Sequence, residues 1–248
     1  MLEVKNLMVF YENALGLNDF SMEVQAGRIV GIIGSNSAGK TTLMNTISGL
    51  ILDIQIKEKR RGGERITVMG RVFFEGQDIS LVPPHARAER GIVLCRERHP
   101  IFPDSTVVEN LKISAYLRSR PELRRGLDLA FALFPNLARY KGKKAGFLSG
   151  GEQQMLAIAM AMMVGPKLLL LDEPLLGLSP AMQKQLVTAI KDVRRQTGVT
   201  LVIAEQFARP LLPMLDFTYV IENGMLTLTG PGPELMENPE IKSAYFGV

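Results

Sequence analysis

The stretch Gly34-Ser35-Asn36-Ser37-Ala38-Gly39-Lys40-Thr41 decides the fold. It fits the phosphate-loop pattern G-x-x-x-x-G-K-[ST], and its flanks have the matching character. Arg28 to Ile33 before it is a short apolar run that reads as a buried strand. Thr41 to Leu50 after it has apolar residues at helical spacing, with Gly49 near the end. Strand, glycine-rich loop and helix in that order make an anion site. The glycines let backbone N–H groups turn inward, and the helix start adds unpaired donors.

The chemistry of the loop follows from its residue types. Lys40 supplies a point charge for the β- and γ-phosphates, and the Thr41 hydroxyl is a ligand for Mg2+. A second centre lies at Leu168-Leu169-Leu170-Leu171-Asp172-Glu173, an apolar strand ending in two acids. Open α/β sheets bind ligands at the C-terminal ends of their strands, so both acids are expected beside the loop. Asp172 would hold Mg2+, and Glu173 would orient or deprotonate an attacking water.

Working outward, residues before about 30 alternate apolar and polar positions (Leu2, Val4, Leu7, Val9; Phe20, Met22, Val24), the pattern of antiparallel strands turning at Ala26-Gly27. Lys57-Glu58-Lys59-Arg60-Arg61-Gly62-Gly63 reads as an exposed basic hairpin tip before a strand pair within Ile66 to Phe74. Val107 to Lys143 reads as mostly helical, punctuated by Pro121 and Pro135. Strand Lys167 to Leu171, helix Ala181 to Gln196 and strand Thr200 to Ala204 restore a βαβ alternation, which implies a parallel sheet covered by helices. Short strands at Thr218 to Glu222 and Met225 to Thr229 and a last helix close the chain. No internal repeat is visible.

Composition narrows the class. Of 248 residues 46% are apolar, and 29 basic against 25 acidic residues give a net charge of +4. That excess is too small to argue for a nucleic-acid binder. Cys95 is the only cysteine, which fits a reducing compartment. Met1-Leu2-Glu3-Val4-Lys5 has no basic leader, so a secretory signal is not expected. The longest apolar stretch, Met155 to Val164, is about half of the ~20 residues a bilayer span requires. The histidines, His85 and His99, lack metal-ligand spacing and read as structural or surface residues.

Leu148-Ser149-Gly150-Gly151-Glu152-Gln153-Gln154 carries the resemblance that names a family. Ser149 and Glu152 have capping-box spacing, so a helix starts here with an apolar face of Met155, Leu156, Ala159, Met162 and Met163. Two anion-binding helix starts so far apart do not obviously serve one nucleotide. The segment resembles the L-S-G-G-Q/E motif of ABC ATPases, and the motifs match that family in order along nearly the whole chain. The resemblance implies a P-loop NTPase of the ABC type: an α/β fold with a parallel-sheet core, an antiparallel β subdomain and a helical subdomain. It implies one ABC ATPase domain over 1-248, with 1-95 and 150-248 as the RecA-like core with its antiparallel β subdomain and about 107-148 as the helical subdomain.

The same resemblance implies ATP and Mg2+ as ligands. Gly34, Ser35, Asn36, Ser37, Ala38, Gly39, Lys40, Thr41 and Thr42 would hold one ATP. Ser149, Gly150, Gly151 and Glu152 would contact the γ-phosphate of ATP held by a second ABC ATPase subunit, identical or homologous. Tyr11 stands where the family places an aromatic that stacks on adenine, with an exposed strand-end tyrosine as the alternative. Gly177-Leu178-Ser179-Pro180 looks like the D-loop that crosses to the partner.

Within the family the chain is most similar to the ATPases of branched-chain amino-acid importers. Phe102-Pro103-Asp104-x-Thr106-Val107-x-Glu109-Asn110-Leu111, Leu133-Phe134-Pro135, Leu148 to Ile158 and Glu205-Gln206 carry that likeness. Gln206 replaces a common histidine; it can donate to a phosphate oxygen but cannot carry positive charge. Glu97 falls at the Q-loop position, where a carboxylate suits Mg2+. Here Cys95-Arg96-Glu97-Arg98-His99 departs from the usual V-P-E-G-R. Ser37 replaces a glycine, and Ile51 to Arg71 is longer and more basic than in those ATPases.

The implied system is an importer at the cytoplasmic face of the membrane. Its other parts would be two transmembrane permeases and a solute-binding protein. Two alternatives stay open. Pro84-His85-Ala86-Arg87-Ala88-x-Arg90-Gly91-Ile92 resembles a stretch of lipopolysaccharide-export ATPases, although those resemble the histidine type at position 206. A soluble ABC protein acting on ribosomes or DNA usually has two cassettes or a long coiled coil. This chain has one P-loop and no heptad run.

Overall fold

A computed structural model describes residues 1–97 and 100–242. Arg98 and His99 lie outside the described residues, as does the end of the chain after 242. The chain folds around two sheets. Strands β1 (Leu2–Tyr11), β2 (Ala14–Val24), β4 (Ile66–Phe74) and β5 (Gln77–Asp78) form an antiparallel sheet ordered β2-β1-β4-β5. Strands β3 (Ile29–Ile33), β6 (Ile92–Cys95), β7 (Leu168–Asp172), β8 (Thr200–Glu205), β9 (Phe217–Glu222) and β10 (Met225–Gly230) form the second, ordered β10-β9-β3-β8-β7-β6. In it only the β10–β9 pair is antiparallel. The expected α/β fold, with a parallel core sheet and an antiparallel sheet beside it, is what the chain adopts.

The central strands are apolar throughout because both faces are covered. Period-two alternation divides each strand between two cores. Leu168 and Leu170 of β7, Val202 and Ala204 of β8, and Val30 and Ile32 of β3 point to one side. There they meet Leu43, Met44 and Ile47 of helix α1 (Lys40–Ser48) and the inner face of the antiparallel sheet. Leu169, Leu171, Leu201 and Ile203 point to the other side, against helix α7 (Gly150–Met163) and helix α8 (Pro180–Thr197). Each such leucine, fully withdrawn from water, contributes about 1.5–3 kcal/mol.

Helices α4 (Val107–Ser114), α5 (Arg120–Leu133) and α6 (Pro135–Arg139) pack on α7. Capping boxes open three of these helices: Thr106 with Glu109, Ser119 with Glu122, and Ser149 with Glu152. Residues 154–163 of α7 are all buried, so the apolar face expected there extends around the whole helix.

Two expectations need correction. The basic run Lys57 to Arg61 is not a hairpin tip. It is the end of helix α2 (Leu50–Arg61), which starts directly after the α1 cap Gly49 and stops at Gly62 with φ 65°. Lys59, Arg60 and Arg61 occupy its last turn, where cations complement the negative helix end. Ile66 to Phe74 is one continuous strand rather than a pair.

Arg87, in helix α3 (Pro84–Glu89), ties α1 to this region. Its side chain is buried, and it donates to the carbonyls of Thr46 (2.7 Å), Ile47 (2.9 Å), Val82 (2.7 Å) and Ser80 (3.1 Å). Thr46 and Ile47 carry carbonyls at the end of α1, where the helix ladder runs out; Gly49 N–H reaches Thr46 O at 3.2 Å, and Arg87 supplies the rest. Burial and Arg90 hold the Arg87 pKa down to about 10, still above neutral pH. Gly49 (φ 84°) is required beside it, since a Cβ there would lie 2.8 Å from Arg87 Nε. Arg87→Met removes the guanidinium donors from these carbonyls while keeping the bulk. It should destabilise the fold by about 3 kcal/mol in urea denaturation; a midpoint unchanged from wild type would contradict this role.

Candidate functional site

The C-terminal ends of β3, β7 and β8 meet at one point, because these strands are parallel and adjacent. Asp172 pairs with Ala204, and Ile33 with Glu205. The loop after β3 is held by its ends: Gly34 N–H donates to Glu205 O (3.3 Å), and Gly224 N–H donates to Ala38 O (3.0 Å). Inside it, Ser37 (φ 63°) and Gly39 (φ 108°) are left-handed. Gly39 also leaves no room for a side chain, since a Cβ would sit 2.5 Å from Gly16 O. Ser37 adopts a conformation that suits glycine, so the serine is held there at a cost of about 1–2 kcal/mol.

Lys40 is buried, 3% exposed, and its ammonium faces three oxygens. It donates to Gly34 O (3.0 Å) and Ser35 O (2.9 Å), and lies 3.1 Å from Glu173 Oε1. Glu173 is itself strained, with φ 46°, and its N–H is anchored to Ala204 O at 2.9 Å.

Asp172 is buried, and its Oδ1 has no hydrogen-bond partner. Burial pushes its pKa up to about 6; the Thr41 hydroxyl opposes the rise, while Glu173 and Glu97 add to it. An orphaned carboxylate oxygen beside a threonine hydroxyl is a hard-oxygen donor set, which fits Mg2+. Among the described residues no group of three or more His, Cys, Asp or Glu could hold a metal. Phosphate oxygens and water would have to complete the coordination, as Mg2+ commonly requires.

An open cleft of about 590 Å³ covers this point. Tyr11, Asn36, Ser37, Gly39, Lys40, Thr41, Thr42, Glu97 and Glu173 line it. Tyr11 is half-buried; its hydroxyl lies 3.2 Å from Thr42 Oγ1 and its ring packs on Gly16. The fold therefore brings together the loop, Tyr11, Glu97, Asp172 and Glu173. It does not bring in Ser149, Gly150, Gly151 and Glu152, which open α7 away from the cleft lining. Gln206 follows β8 and is also outside that lining; its backbone N–H donates to Glu205 Oε2 (3.2 Å).

Glu205 was visible in the sequence only as the neighbour of Gln206. It is 3% exposed, accepts from Leu175 N–H at 2.6 Å, and burial and nearby Glu173 push its pKa up to about 7. An acid closing an apolar run, as at Asp172, was the available signal.

A family model described as ABC transporter matches residues 17–176. The chain belongs to the ABC transporter family. As an ATP-binding cassette it is an ATPase. It is 36% identical to the high-affinity branched-chain amino acid transport ATP-binding protein BraG of Pseudomonas aeruginosa, over the full length of both. It is 31% identical to the lipopolysaccharide export system ATP-binding protein LptB of Haemophilus influenzae, covering all of this chain and 97% of that one. A solved ATP-binding cassette of an ABC transporter in its ADP conformation superposes with a TM-score of 0.80 at 27% identity, covering 100% of this cassette and 99% of that chain.

The two raised carboxyl pKa values set a stability profile. Asp172 and Glu205 bind a proton more tightly in the folded than in the unfolded chain. The stability this contributes is fully present below their unfolded values near pH 4 and is lost as pH rises through about 6 and about 7. Without nucleotide or Mg2+ the cassette should lose stability in urea between about pH 5 and about 7.5, and Asp172→Asn should flatten that slope. A profile that rises across this window would contradict the assignment.

Proposed function

We propose that this cassette hydrolyses ATP to drive import of branched-chain amino acids or a related small solute. It would work as one half of an ATPase dimer, at the cytoplasmic face of the membrane, docked on two permeases that a solute-binding protein serves. The cleft lined by Lys40, Thr41 and Glu173, with Asp172 buried against the Thr41 hydroxyl at the same sheet edge, carries the hydrolytic reading.

In that reading the loop from Gly34 to Thr42 cradles the phosphates, and Lys40 exchanges its present oxygens for β- and γ-phosphate oxygens. Thr41, Asp172 and Glu97 would hold Mg2+, which neutralises charge on the phosphates when bound. Tyr11 would stack on adenine. Glu173, released from Lys40 by the incoming phosphate, orients or deprotonates the water. Gln206 can donate to the γ-phosphate but supplies no charge, so catalysis rests on Glu173. Ser149, Gly150, Gly151 and Glu152 would serve the partner's ATP. Residues 1-95 and 150-248 would act as the core with its antiparallel sheet, and about 107-148 as the helical subdomain that meets the permeases.

The importer reading is supported by the 36% identity to BraG and by glutamine at position 206. The 31% identity to LptB keeps export as the second reading. No helix among the described residues is long and apolar enough to cross a membrane, consistent with a need for permease chains.

Lys40→Ala should abolish nucleotide binding or hydrolysis, and wild-type activity in that variant would remove the site. Glu173→Gln should trap an ATP-bound dimer, seen by size-exclusion chromatography with ATP and Mg2+; hydrolysis at the wild-type rate would put the base elsewhere. Import is tested by reconstituting the cassette with its candidate permeases in vesicles. Uptake of labelled leucine that requires ATP on the cassette side supports it. Extraction of lipopolysaccharide instead would establish export.

A further inference from the structure

We propose that Glu205 is a positioning residue for Glu173, acting by fixing the backbone that follows Glu173 through its buried side chain. The inference rests on the reading of Glu173 as the group that handles water.

Glu173 leaves β7 in a left-handed conformation (φ 46°), which a non-glycine residue holds only when its surroundings over-determine it. Two bonds do so. On one side Glu173 N–H donates to Ala204 O (2.9 Å). On the other, two residues later, the buried Leu175 N–H donates to Glu205 Oε1 (2.6 Å). Ala204 and Glu205 are consecutive on β8, so one short piece of strand clamps the turn before and after the strained residue. Glu205 is committed elsewhere too. Its carbonyl accepts from Gly34 N–H (3.3 Å), where the phosphate loop begins, and its Oε2 accepts from Gln206 N–H (3.2 Å). Leu175, Gln206 and Gly34 are thereby set by a single residue, and Glu173 is aimed at Lys40 from within that frame.

The side chain needs length and an acceptor atom, and the contact to Leu175 does not need negative charge. Burial pushes the carboxyl up to about 7, with Glu173 raising it and the Leu175 and Gln206 N–H groups and Lys40 lowering it. Glutamine keeps the length and an acceptor oxygen for Leu175 N–H, and gives up only the longer contact to Gln206 N–H (3.2 Å). Methionine keeps the length and offers no such acceptor.

The test uses the full chain with ATP and Mg2+, and it measures turnover at saturating ATP and, separately, the Kd for ADP. Glu205→Met should lower kcat at least tenfold while the ADP Kd moves less than threefold, and Glu205→Gln should bring kcat back to within threefold of wild type. Three results would overturn the proposal: wild-type kcat in Glu205→Met, parallel loss of ADP binding and turnover, or a Gln variant as impaired as the Met variant. Should Glu205→Met fail to fold, Glu205→Asp replaces it with the same expectation, since it keeps the charge but is one methylene too short for Leu175. Glu173→Gln is run alongside. If it turns over normally, the reading of Glu173 fails; if it is inactive and Glu205→Met is normal, only the role of Glu205 fails.

Discussion

A buried ammonium must have oxygen around it, and in this cassette that requirement organises the site. Lys40, 3% exposed, is satisfied by two loop carbonyls and by Glu173. The carbonyls of Gly34 and Ser35 can face it because Ser37 and Gly39 bend the loop through left-handed conformations. Glu173 can reach it because β7 runs parallel to β8 and turns sharply at its end. A phosphate entering the cleft brings its own oxygens, so it replaces partners of Lys40 rather than creating a new demand. Glu173 is the partner most readily displaced, being a side chain where the others are backbone. Anion arrival and release of the Glu173 carboxylate would therefore be one exchange.

Much of this frame is legible in the sequence because it is local. A glycine-rich turn between an apolar run and a helical period has one structural solution, and it formed at Gly34 to Thr41. Two acids closing a leucine run mark a strand end. Ser149 and Glu152 write a helix start within four residues, and the structure has that capping box. The misreading of Lys57 to Arg61 has an equally local cause. Charge followed by two glycines is a turn signal, but here Ile51 is buried and Gly62 caps the helix instead of turning a hairpin.

Arg87 and Glu205 were not legible as buried groups, for the opposite reason. Each is polar, and each is buried because of acceptors or donors remote in sequence: Thr46 and Ile47 for Arg87, Leu175 for Glu205. No periodicity reports such a partner. Asp172 differs in having a buried oxygen with no partner at all, which is why it, and not Glu205, invites a cation.

Where α7 begins follows from how it meets α8. Leu175, fixed by Glu205, accepts from Leu178 N–H (3.2 Å), closing the turn that ends at Ser179. Ser179 caps α8 through Met182 N–H (3.4 Å), and Met182 packs against Gly151, where any side chain would collide with it. Gly151 thus lets the start of α7 sit against the start of α8. That seat fixes Ser149 and Gly150 at the surface, beyond the lining of this chain's own cleft. The capping box meets the N–H groups of Ser149 and Glu152 within the chain (2.8 and 3.4 Å), and the exposed helix start keeps its partial positive charge. A second cassette presenting its phosphates there would complete both half-sites at once, and the turn between Glu173 and Ser179 would lie between them.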